Sequence, residues 1–170
     1  EGGSISPLGV YGQSKAAGDF AVETTRRHYI VRTSWVVGDG ANFVRTMKSL
    51  ATRDINPTVV DDQAGRLTFA IDIARGIRHL LDTGAPYGTY NLTGTGETQT
   101  WAGIARDVYE MTGHDPGRIV AVSTDVYYAQ AGEAVAPRPR YSALDVTKIE
   151  QAGAALRDGR TALAEYLAEV

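Results

Sequence analysis

Two periodicities alternate along this chain, and their alternation limits the folds open to it. Short runs rich in β-branched and aromatic residues, at 29–37, 58–61, 88–93 and 118–122, exchange with stretches whose apolar residues recur at helical spacing, at 10–27, 42–52, 71–82 and 101–111. Period-2 and buried apolar runs read as strands, and i, i+3, i+4 patterns read as helices. Parallel neighbours need a helical crossover between them, so this order predicts an α/β fold with mostly parallel pairing. Asn42 and Thr100 stand where helix N-caps are expected, and Gly84 and Gly113 where helices stop. The inner faces are expected to carry Ala16, Ala17, Phe20, Ala21 and Val22 on the first helix, and Ile73, Ile77, Leu80 and Leu81 on the third. Further helices are expected at 124–131, 145–152 and 161–168. At 43% hydrophobic and 22% charged, 170 residues suffice for a core of ordinary size.

Composition removes several classes of function. A net charge of −3 provides no basic field for nucleic acid or an anionic membrane. No apolar run approaches the roughly 18 residues of a membrane span, and no signal peptide is visible. The absence of cysteine excludes disulfides and thiolate metal sites and agrees with a reducing cytoplasm. His28, His79 and His114 lie far apart, without metal-ligand spacing. The opening stretch, Glu1 to Pro7, is loop-like, has no initiator Met and runs straight into a helix. The expectation is that the chain is the C-terminal part of a longer protein.

The chemistry-bearing motif is Tyr11-Gly12-Gln13-Ser14-Lys15, at the start of the first helix. Residues i and i+4 share a helix face, so phenol and ammonium point into one space. A phenol with an unperturbed pKa of about 10 is a poor donor at neutral pH. A neighbouring cation stabilises the phenolate and brings the group toward use as a general acid, able to protonate a carbonyl oxygen as hydride reaches the carbon. Two solvated residues on an ordinary helix would give the same spacing. Gly94-Thr95-Gly96-Glu97-Thr98-Gln99 follows a strand run and precedes a helix, as a dinucleotide fingerprint would. Gln99 stands at the third glycine position and no acidic residue completes the pattern, so the stretch reads as a glycine-rich turn with Thr98 or Thr100 capping the next helix.

Five stretches together resemble the dTDP-4-dehydrorhamnose reductase family of extended short-chain dehydrogenase/reductases. They are Tyr11 to Asp19, Val31-Arg32-Thr33-Ser34-Trp35-Val36, Asn42-Phe43, Val60 to Thr68 (containing Asp61-Asp62-Gln63-Ala64-Gly65-Arg66), and Arg138-Pro139-Arg140-Tyr141-Ser142-Ala143-Leu144-Asp145. Asp19, Val37 and Leu67 depart from the family's usual Glu, Tyr and Pro. The resemblance implies the C-terminal part of a Rossmann-like NAD(P)-binding fold plus a smaller α/β substrate-binding region. Residues 1–37 would end the dinucleotide-binding domain, and 38–170 would be mainly substrate-binding region with interleaved Rossmann elements. The implied reaction is reduction of the 4-keto group of dTDP-4-dehydro-L-rhamnose by NADPH or NADH, in the cytoplasm.

On the same resemblance, Tyr11 is the proton donor, and Lys15 assists it and holds the nicotinamide ribose. Ser34 and Val36 approach the nicotinamide, and Trp35 the sugar, although Trp35 could equally be core. Asn42 at a helix start suits a diphosphate or is a plain cap. Gln63 and Arg66 would cover the nucleotide sugar, and Arg138 and Arg140 would hold a diphosphate on a proline-stiffened loop. Solvated surface is the competing account for these four. The family's glycine fingerprint and its catalytic Ser or Thr are absent from this sequence, so the chain alone is expected to be inactive. The resemblance leaves open a homodimer, magnesium at a dimer contact and a fused or associated 3,5-epimerase. Other readings are a non-catalytic regulatory module, such as the related subunit of methionine adenosyltransferase, and another nucleotide-sugar reductase or epimerase.

Overall fold

The computed structural model describes residues 1, 5–131 and 136–170. The first helix, α1 (Val10–Glu23), leads into β1 (Tyr29–Arg32) and β2 (Val36–Val37). Next come α2 (Phe43–Thr52), β3 (Thr58–Val60), β4 (Ala64–Gly65), β5 (Thr68–Phe69) and α3 (Ala70–Asp82). The second half runs β6 (Gly88–Asn91), β7 (Gln99–Thr100), α4 (Trp101–Met111), β8 (Val120–Val122), α5 (Thr124–Ala131), α6 (Thr147–Gln151) and α7 (Gly159–Glu169). Three strand pairs are parallel, β1 with β6, β2 with β5 and β3 with β8, while β4 and β7 pair antiparallel. The α/β class and the prevalence of parallel pairing follow the sequence pattern.

Apolar side chains collect into two clusters. One is built around Val44, Phe69, Ile104, Val108, Tyr109 and Leu163. The other holds Leu80, Tyr90, Leu92, Val146 and Ile149, with Tyr29 and Val31 against it. The chain passes between them repeatedly. β1, α3, β6 and α6 supply the second cluster, while α2, α4 and α7 supply the first. Arg157 ties the two regions by donating to both carboxylate oxygens of Asp72 on α3, at 2.8 and 3.1 Å from Nε, and to Glu165 on α7.

Four expectations need correction. Residues 29–37 are not one strand: the backbone turns at Trp35, whose φ of 48° is left-handed, and resumes as β2 beside β5. No strand is expected between the run at 58–61 and the helix at 71–82, yet Ala64–Gly65 forms β4, which pairs with β7 across more than thirty residues and so has no local signature. Helix α1 stops at Glu23 and buries only Ala16; Phe20 and Val22 are exposed, as are Ala17 and Ala21. On α3, Leu80 is buried but Ile77 and Leu81 are exposed. The last two share a cause. Two strands about 4.8 Å apart make a ladder scarcely wider than one helix of about 10 Å, so the β1–β6 pair covers little of either helix. What fixes α1 is polar: Asp19 accepts from Arg32 Nε at 2.8 Å, tying the helix to β1.

Candidate active site

Helix α1 starts after Gly9 in extended conformation, which places Tyr11 in the first turn and Lys15 one turn later. The Lys15 ammonium lies 5.6 Å from the Tyr11 ring centroid, so the expected pair forms. Tyr11 is 74% exposed, and its hydroxyl makes no hydrogen bond among the described residues. The second cationic element comes close: a Cβ placed on Gly9 would lie 3.9 Å from Pro137. The segment carrying Arg138 and Arg140 is thereby set beside the start of α1. That segment is also fixed to β4, since Ala64 N–H donates to Arg140 O at 2.8 Å and Ser142 N–H to Ala64 O at 2.7 Å. Both residues are exposed, and neither forms an ion pair among the described residues, although the Arg140 charge reaches Asp62 from beyond contact distance. The sequence predicts an extended loop over 134–141, of which 134–135 lie outside the described residues.

Ser34, Trp35 and Val36 follow the carboxyl end of β1. Open α/β sheets bind ligands at this edge. Ser34 Oγ is buried with no hydrogen-bond partner among the described residues, and Val36 is half exposed on β2. Trp35 is partly buried. Its ring stacks on Trp101 with centroids 3.9 Å apart and planes 17° from parallel. Trp35 therefore leans on the first cluster while standing at the exit of β1.

Three other candidates make hydrogen bonds within the fold. Asn42 caps α2: its side chain accepts from Arg45 N–H at 3.1 Å and donates to Gly38 O at 2.8 Å and Tyr166 Oη at 2.9 Å. Gln63 is buried and donates to Thr124 Oγ1 at 3.0 Å. Arg66 donates to Gly96 O at 2.9 Å and Leu144 O at 3.3 Å, binding the glycine turn to the loop before α6. It also lines a crevice of about 190 Å³ with Thr95, Glu97, Asp158 and Arg160. Thr100 is the cap expected of it, accepting from Gly103 N–H at 3.0 Å.

Asp62 has a role that sequence reasoning missed. Thr124, at the start of α5, donates to its carboxylate from Oγ1 and from the backbone N–H at 3.0 Å. The Thr124 hydroxyl first, with smaller help from its N–H and the Arg140 charge, holds the Asp62 carboxyl below the usual carboxylate range. A depressed folded pKa means the ionised form is the one the fold favours. Its stabilisation is present above the unfolded carboxylate pKa and is lost as pH falls through the folded value. Asp62→Asn should therefore flatten the acid side of a plot of denaturation midpoint against pH, below about pH 4. An unchanged acid limb would remove Asp62 from that role.

No group of three carboxylate or imidazole side chains that could hold a metal occurs among the described residues. Asp72 and Glu165 both turn to the Arg157 guanidinium instead. No helix among them is long and apolar enough to cross a membrane.

Parallel strand pairs interleaved with helices, with a tyrosine–lysine pair beside a cationic loop, define an α/β protein. The chain belongs to the RmlD substrate binding domain family, whose model matches residues 1–170. It is 37% identical over 167 residues to the spore coat polysaccharide biosynthesis protein SpsK of Bacillus subtilis, covering 97% of this chain and 56% of SpsK. It is 40% identical over 167 residues to a dTDP-4-dehydrorhamnose reductase of Streptomyces griseus, covering 94% and 53%. Among solved structures it resembles the Bacillus anthracis dTDP-4-dehydrorhamnose reductase in complex with NADP, with a TM-score of 0.87, 30% identity and coverage of 99% and 58%. The chain thus spans little more than half the length of these relatives.

Proposed function

We propose that this chain is the substrate-side part of an NAD(P)H-dependent reductase that converts dTDP-4-dehydro-L-rhamnose to dTDP-L-rhamnose. The observation that carries this is the Tyr11–Lys15 pair at the start of α1, 5.6 Å from ring to ammonium and set beside the Arg138–Arg140 segment. A proton donor and a diphosphate-binding loop at one place are what a nucleotide-linked 4-keto sugar needs. Tyr11 donates the proton to the carbonyl oxygen, and Lys15 stabilises the charge left on the phenol and holds the nicotinamide ribose. A pure binding module has no use for both groups, which favours catalysis over the regulatory alternative.

NAD(P)H supplies the hydride when bound. Ser34 Oγ, buried without a partner, suits the carboxamide of a nicotinamide, and Val36 would lie against the ring. Trp35 faces the sugar. Arg138 and Arg140 take the diphosphate through charge-assisted hydrogen bonds. Asn42 reaches a ligand through the free N–H groups at the start of α2, since its own amide is committed to the cap. Gln63 and Arg66 act by holding the loop that lies under the nucleotide. The division at residue 37 is proposed in the same terms. The second cluster draws Leu80, Leu92 and Ile149 from beyond that point, as expected of interleaved Rossmann elements. The chain carries an acid but no glycine fingerprint, so turnover belongs to the longer polypeptide. A homodimer, an epimerase partner and a cytoplasmic location remain parts of this proposal.

The experiment is NADPH oxidation by the full-length protein that carries this chain, with dTDP-4-dehydro-L-rhamnose as substrate. Absence of turnover with this sugar would refute the assignment. In the same protein, Arg138→Ala and Arg140→Ala should each weaken dTDP-sugar binding by calorimetry about tenfold, a typical loss for one charged contact, while NADPH binding stays within about twofold. Equal losses for both ligands would return the loop to ordinary surface.

A further inference from the structure

We propose that Trp101 is a positioning residue of the sugar pocket: it fixes the Trp35 indole at the end of β1, and Gly65 supplies the space that lets it do so. This rests on the reading above that Trp35 meets the sugar. The starting observation is backbone strain. Trp35 has φ of 48°, one of two non-glycine residues in the left-handed region among the described residues. A bulky aromatic residue keeps that conformation only where its surroundings over-determine it, and such positions cluster at ligand sites.

Three contacts hold Trp35 there. Its carbonyl accepts from Thr68 N–H at 3.1 Å, which locks the backbone against β5. Its ring lies on Trp101, 3.9 Å between centroids and 17° between planes. Gly65 closes the site: a Cβ there would stand 2.7 Å from Trp35 Cε2 and 2.9 Å from Cδ2. Gly65 does not have a positive φ, so no turn requires glycine at this position. Space for the indole is what requires it.

Trp101 is itself well fixed. It is the first residue of α4, directly after the capping Thr100. Thr100 faces Ala64 and Gln99 faces Gly65 in the antiparallel β4–β7 pair. That register brings Gly65, Trp101 and the end of β1 to one point. Phe43, at the start of α2, meets Trp101 edge-on at 4.7 Å and 61°. The platform thus draws on α2, α4 and β4, and its last ring sits at the strained strand exit. With Trp101 stacked on the indole and Gly65 lying against it, the part of Trp35 left open at the strand exit is what meets a deoxyhexose. A tryptophan that served only as core would have no need of a left-handed backbone.

The test uses steady-state kinetics of the full-length protein with dTDP-4-dehydro-L-rhamnose and NADPH. Trp101→Leu should raise the sugar-nucleotide KM about five- to tenfold, with kcat and the NADPH KM within about twofold, because uniform binding is lost and the chemistry is not. Trp101→Phe, which keeps a flat ring, should restore KM to within about twofold. In a Trp35→Leu background, Trp101→Leu should add nothing further, since its effect passes through Trp35. Should Trp101→Leu fail to fold, Gly65→Ala takes its place: it should raise the sugar KM and be silent when Trp35 is leucine. If Trp35→Leu leaves the sugar KM unchanged, the reading that Trp35 touches sugar fails, whatever Trp101 does. If Trp35→Leu raises KM but folded Trp101→Leu or Gly65→Ala does not, the positioning role is overturned. A parallel fall in kcat and in affinity for both ligands, unrescued by phenylalanine, likewise overturns it, because that is the signature of a merely structural residue.

Discussion

Tyr11→Phe, made in the full-length protein, should lower kcat by about 10²- to 10⁴-fold while the sugar-nucleotide KM changes by no more than about twofold. The substitution removes one oxygen and leaves the ring. Tyr11 is 74% exposed and its hydroxyl has no partner among the described residues, so the fold loses no hydrogen bond and buries no new surface. The ring also keeps its place 5.6 Å from Lys15 Nζ. What disappears is the proton that must reach the carbonyl oxygen as hydride reaches carbon. That interaction exists only in the transition state, so its loss appears in kcat and not in KM. Single-turnover reduction monitored at the NADPH absorbance separates chemistry from product release. A near-wild-type rate would remove Tyr11 from the donor role and leave the helix as scaffold.

Much of this site could be read from the sequence because the signals are local. The Tyr11–Lys15 spacing needs only one helical turn, and Thr100 and Asn42 cap helices within three residues of themselves. The parts that could not be read depend on partners far along the chain. Gln63 appears on a polar loop, yet it is buried because its partner Thr124 lies 61 positions away. Gly65 and Trp101 gain meaning only through two strands of two residues each, too short for any periodicity to reveal. The 29–37 run has the composition of one buried strand, and nothing in it announces the left-handed turn at Trp35. The apolar residues of α1 and α3 form convincing helical stripes, but amphipathicity states only that a face is apolar. Whether another element covers it depends on how many strands lie beneath. In each case the missed information concerns long-range register, which a one-residue shift reverses.

Ile149→Ala in the 170-residue chain should cost about 2–5 kcal/mol of stability, and the loss should appear in both regions of the fold at once. Ile149 is fully buried in the second cluster. A Cβ on Gly76 would meet Leu92 at 2.2 Å and lie 3.8 Å from Ile149 Cδ1, so these three residues already sit at close contact. Gly76 has no side chain with which to fill the cavity left by alanine, and Leu92 is held on the other side by β6. Collapse is therefore limited, which favours the upper part of that range. The two tryptophans of the chain, Trp35 and Trp101, both pack against the other cluster. Their fluorescence accordingly reports on a region that Ile149 does not touch. The chain enters and leaves each cluster several times through short connections. Phe69 belongs to the first cluster and the next residue opens α3 in the second, while Arg157 and Asp72 clamp the two together at 2.7 Å. Neither cluster can form with the connecting segments disordered, so the two should unfold as one cooperative unit. In urea titrations, the midpoint from tryptophan fluorescence should fall together with that from far-UV circular dichroism. A fluorescence midpoint left in place while the dichroism acquires an earlier step would mean two separately stable units. In that case each cluster, and not the whole chain, would be a unit of folding.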